Sequence, residues 1–66
     1  MPKYIVVAIS SDDCTVNILE FNVLESAVDY CIIFAMNDQL SSCMVYKVEG
    51  KKKKLVWSNR EGFVNE

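Results

Sequence analysis

Apolar and polar residues alternate along this chain with two different periods. Tyr4-Ile5-Val6-Val7-Ala8-Ile9 is short, rich in β-branched residues and almost continuously apolar. Such a run predicts a strand covered on both faces and therefore central in its sheet. After a turn cluster, Ser10-Ser11-Asp12-Asp13, a second strand is expected over residues 14–21. Within it Cys14, Val16 and Ile18 share one face, whereas Leu19 and Phe21 fall on the other, so a bulge or strand end is expected near Ile18-Leu19.

The period then lengthens. Leu24, Ala27, Val28, Cys31, Phe34 and Ala35 recur at helical spacing and predict a helix that packs this stripe on the sheet. Asn22 is the expected N-cap, with Glu25 placed to reach back to the cap amide. Asn37-Asp38-Gln39 and Ser41-Ser42 break the helix. Strands follow at Cys43-Met44-Val45-Tyr46-Lys47-Val48 and Leu55-Val56-Trp57, joined through Glu49-Gly50 as a two-residue hairpin loop. That loop sets Val48 opposite Lys51, Tyr46 opposite Lys53 and Met44 opposite Leu55. The pattern from residue 58 onward is weak and reads as a tail from which Phe63 and Val64 tuck back. The expected fold is one α+β domain over residues 1–66, β-β-α-β-β, with a four-stranded antiparallel sheet and one helix across one face.

One segment exceeds what that fold needs. Tyr30-Cys31-Ile32-Ile33-Phe34-Ala35-Met36 is apolar all the way round the helix, although a single stripe suffices to cover a sheet. Val23, Tyr30, Ile32, Ile33 and Met36 are therefore expected to form a second apolar face that pairs with another copy of the chain. Size points the same way. A 66-residue chain buries only about 60% of its unfolded surface, so chains of this length usually gain stability from staples or partners.

Composition narrows the classes. The three cysteines, Cys14, Cys31 and Cys43, are odd in number and lie in apolar runs without Cys-x-x-Cys spacing, which fits reduced, buried thiols rather than disulfides. With no His, the commonest general base is missing and a zinc site would need an uncommon ligand set. Asp12 and Asp13, beside Ser10 and Ser11, read as turn chemistry rather than a metal site. No enzymatic activity and no cofactor are expected. The start, Met1-Pro2-Lys3-Tyr4, runs directly into a strand with no secretory pattern, and the longest apolar run is far below the roughly 20 residues of a membrane span, so a cytoplasmic location is expected.

Net charge is −2, but it is unevenly spread. Residues 1–40 carry one lysine against six carboxylates, a balance of −5, while residues 41–66 carry six basic against three acidic residues, a balance of +3. Lys47, Lys51, Lys52, Lys53 and Lys54, with Trp57 nearby, form a candidate contact for a partner or for nucleic acid, since lysines neutralise phosphates and aromatic rings stack on bases. Lysines on an edge hairpin also keep sheets from associating edge to edge, and the acidic balance favours that plainer role.

The runs 21–30, 45–50 and 55–57 together resemble, in layout and size, many very short phage-encoded proteins. Inhibitors of bacterial defence systems and host-takeover factors are among them. The resemblance spans most of residues 4–57, carries no diagnostic motif and transfers no site. It implies a non-enzymatic protein, often a homodimer, that binds and blocks a larger host protein. The expected partners are thus a second copy and an unidentified protein target, with a nucleic-acid-binding accessory role as the alternative and no membrane.

Overall fold

A computed structural model describes residues 3–12, 15–37 and 41–64. The elements are β1 (Lys3–Ile9), β2 (Val16–Phe21), α1 (Leu24–Asn37), β3 (Ser42–Glu49), β4 (Lys52–Ser58) and β5 (Gly62–Phe63). All strand pairs are antiparallel in one sheet of order β2-β1-β3-β4-β5. The α+β class matches the sequence reading. The sheet has five strands rather than four, because Gly62 and Phe63 pair with Ser58 and Trp57 and the Val64 amide donates to the Val56 carbonyl at 3.0 Å.

β1 is an interior strand, second in the order, paired with β2 from Tyr4 to Ile9 and with β3 over its full length. Its side chains alternate, so Tyr4, Val6 and Ala8 point to the helix and Ile5, Val7 and Ile9 to the opposite side. Cross-strand partners share a face, which places Leu19, Phe21, Cys43, Val45 and Trp57 on the helix side as well. Val6, Ala8, Cys43 and Val45 are fully buried there beneath Ala27, Val28 and Cys31 of the helix. Small residues at the centre let the helix approach closely. Larger ones close the margins, where Phe21, Tyr30 and Phe34 form an aromatic row with centroid spacings of 5.9 and 6.4 Å.

Three local expectations are corrected. The β1–β2 register runs unbroken from Tyr4↔Phe21 to Ile9↔Val16, so the reversal at Ile18-Leu19 is no bulge; β2 carries apolar residues on both faces. The irregularity lies instead between β3 and β4, where Val45↔Trp57 gives way to Tyr46↔Leu55 and Val56 becomes the extra residue. The hairpin loop is Gly50-Lys51, one residue later than expected, with Glu49 opposite Lys52 and Val48 opposite Lys53. Gly50 sits at φ 61°, the left-handed value that opens a primed turn. The helix also starts one residue late: the Ala27 amide donates to the Val23 carbonyl at 3.2 Å, making Val23 rather than Asn22 the cap position.

Asn59 fastens the chain end to the sheet. Its side-chain oxygen accepts from the Cys43 amide at 3.0 Å, its side-chain amide donates to the Ser41 carbonyl at 3.0 Å, and its backbone amide donates to the Cys43 carbonyl at 3.0 Å. What the sequence presents as a loose tail is therefore tied down as far as Val64.

Candidate functional site: two apolar faces and a lysine hairpin

Among the described residues β1 is covered on the helix side only, which corrects the expectation of a strand covered on both. Opposite the helix the sheet carries four rows of side chains, fixed by register. Val16, Ile9 and Ser42 form the first, and Ile18, Val7, Met44 and Ser58 the second. Glu20, Ile5, Tyr46 and Leu55 form the third, and Lys3, Val48 and Lys53 the fourth. Nine of these residues are apolar or aromatic, and none of the nine is buried. Ile18 is 67% exposed. Polar groups inside this surface are used locally, the Tyr46 hydroxyl donating to the Met44 sulfur at 3.8 Å and the Ser58 hydroxyl accepting from the Glu61 amide at 3.1 Å. Charges lie toward one end, where Lys3 Nζ and Glu20 Oε1 are 3.4 Å apart.

A second apolar surface lies on the outside of the helix. Ile32, Ile33 and Met36 are exposed, Met36 to 74%, and Val23 at the cap adds to them. Tyr30 does not join this group fully. It is half-buried, and its ring packs between Phe21 and Phe34 at the margin of the core.

The lysines divide. Lys51, Lys52, Lys53 and Lys54 are exposed and Lys47 half-exposed, but a strand alternates its faces, so Lys52 and Lys54 stand on the helix side with Lys47 while Lys53 stands on the open side. Glu49 lies directly across from Lys52 and 3.9 Å from the Lys47 ammonium. Trp57 is 8% exposed and packs in the core, so its ring is not presented beside the lysines for stacking.

Two thiols meet beneath the helix. Cys31 and Cys43 are fully buried and free, and Cys31 is pushed well above the ordinary thiol range by its hydrogen bond with Cys43 and by burial. A thiol held neutral in an apolar core is a packing group, not a nucleophile. The Asp12 amide lies 3.4 Å from the Ser10 hydroxyl, a local turn contact, while Asp13 and Cys14 lie outside the described residues. Among the described residues no three His, Cys, Asp or Glu side chains gather to hold a metal, and no helix is long and apolar enough to cross a membrane.

The open sheet face is the feature that sequence reading missed. Its signal was present: an uninterrupted apolar run in β1 together with the face reversal in β2 means that both sides of the sheet are apolar. Comparison of the chain with protein-family models, with curated proteins and with solved structures found no match.

Proposed function

We propose that this chain is a small, non-enzymatic protein–protein interaction module that self-associates and modulates a larger protein by occupying its surface. The observation that carries this reading is the presence of two separate apolar faces, one on the sheet and one on the helix, in a chain whose own core is already closed between them. Monomeric soluble proteins rarely leave wide contiguous apolar patches uncovered, and such patches mark interaction sites. One pairing covers one face. The other remains to meet a different protein, and inhibition by occupancy is the mode proposed for the phage-type inhibitors that the layout resembles.

Site-specific photocrosslinking tests the partner half of this reading. A photoreactive residue at Ile33, introduced into the full chain in cells of its source, is expected to yield a discrete adduct with a second protein. Met36→Glu in the same chain should suppress it. Adducts with the chain itself alone, or no adduct, would contradict the assignment of a separate partner.

A further inference from the structure

We infer that the open sheet face is the self-association surface, and that two copies pack on it face to face about a twofold axis running along the strands between β1 and β3. The inference rests on the proposal that the chain self-associates and assigns the surface that does it. Strand order makes the face self-complementary. Among the four long strands, β2-β1-β3-β4, an axis on the β1/β3 midline lays β2 of one copy over β4 of the other and β1 over β3. Rows then face like rows: Ile18 of one copy meets the Ser58 margin of its mate, Val7 meets Met44 and Met44 meets Val7.

Charge agrees with this arrangement. Glu20 on β2 shares its row with Leu55 of β4, and Lys53 lies in the adjoining row of β4, about 6.7 Å further along the strand. Under the twofold, Glu20 of each copy comes over Leu55 of the other, with Lys53 within reach of its long stem. Both pairings occur twice. An aligned sheet sandwich keeps strand directions within about 30°, which preserves this opposition of acid and lysine.

Area places this contact at the small end of specific interfaces. Four strands about 4.8 Å apart, carrying side chains over about 20 Å, give a footprint of roughly 400 Å² per copy before side-chain relief is counted. The two faces together give roughly 800 Å² before that relief, just under the ~1,000 Å² lower bound for a specific interface. The product is a four-layer assembly, helix-sheet-sheet-helix, with Ile33 and Met36 of both copies on its outer surfaces.

Sedimentation equilibrium of the full chain tests the assignment, with circular dichroism reporting folding. The wild type is expected at twice its 7.5 kDa chain mass. Ile18→Glu, on an exposed edge-strand position outside the core, should give a folded chain at least 100-fold weaker in association. Ile33→Glu should leave association unchanged. Lys53→Glu should weaken the dimer about tenfold, and adding Glu20→Lys should recover most of that loss, because the swap recreates the opposition between copies. A monomeric wild type would overturn self-association itself, leaving the photocrosslinking result to stand alone. A dimer that resists Ile18→Glu but dissociates with Ile33→Glu would overturn the surface and place the second copy on the helix. A charge swap that fails to recover association would overturn the twofold.

Discussion

The two faces of the sheet are both apolar, yet they differ in residue size and in fate. Under the helix the centre is Val6, Ala8, Cys43 and Val45, all fully buried. On the other side the corresponding positions are Ile5, Val7, Met44 and Tyr46, larger and partly exposed. Small side chains permit a helix to seat close to the sheet, whereas long ones stand away from it and interdigitate with a second sheet about 10 Å away. The same strand, β1, thus builds the core with its even-numbered residues and, in the dimer we propose, would serve association with its odd-numbered ones.

Adjacent residues on β1 give the largest contrast. Val6→Asp places an unpaired carboxylate in a closed core, and with a penalty of several kcal/mol against a small domain's thin margin, the chain is expected to lose its folded circular dichroism and cooperative melting. Val7→Asp places the same charge on the open face. It should leave a cooperatively folded chain whose association is lost, and equal unfolding by both substitutions would break the contrast.

The thiol pair sharpens the closed side. Cys31 ionises freely in the unfolded chain but is held neutral in the fold, so its contribution is complete below the ordinary thiol value of 9.0 and declines as pH rises above it. Urea unfolding should show stability falling above that pH by up to about 1.4 kcal/mol per unit, and the double substitution Cys31→Ala/Cys43→Ala, which removes both buried thiols, should remove this slope. A wild type whose stability stays flat to pH 10.5 would contradict it. Gly50→Ala comes next in size. The left-handed φ at the hairpin tip makes a loss of about 1 kcal/mol the expected result, read from the urea midpoint. Smallest is Lys3→Gln, which removes an exposed ion pair with Glu20 and should change monomer stability by less than about 1 kcal/mol.

Much of the fold was legible in the sequence. β1 declared itself by its β-branched run, and the stripe through Ala27, Val28 and Cys31 correctly gave the helix's covered face. The hairpin register slipped because Glu49-Gly50 and Gly50-Lys51 are equally good two-residue turns, and only the cross-strand packing, with a bulge at Val56, decides between them. β5 was invisible because two residues carry no period, and Asn59, whose side chain ties it to Ser41 and Cys43, looks like any loop asparagine. The candidate surface was legible only in part. A continuous apolar strand says that both faces are apolar, but the same residues serve whether the cover comes from the chain itself or from another molecule. The excess is therefore legible on the helix through Ile33 and Met36, while the run in β1 reads only as a strand covered on both faces, without saying by what.

Sedimentation equilibrium of the wild type beside Val7→Asp tests the division of labour between the faces most directly. The account predicts a wild type at twice the 7.5 kDa chain mass and a folded variant at that mass. A wild type already at the single-chain mass, or a variant still at twice it, would contradict the claim that the open face of the sheet is where two copies meet.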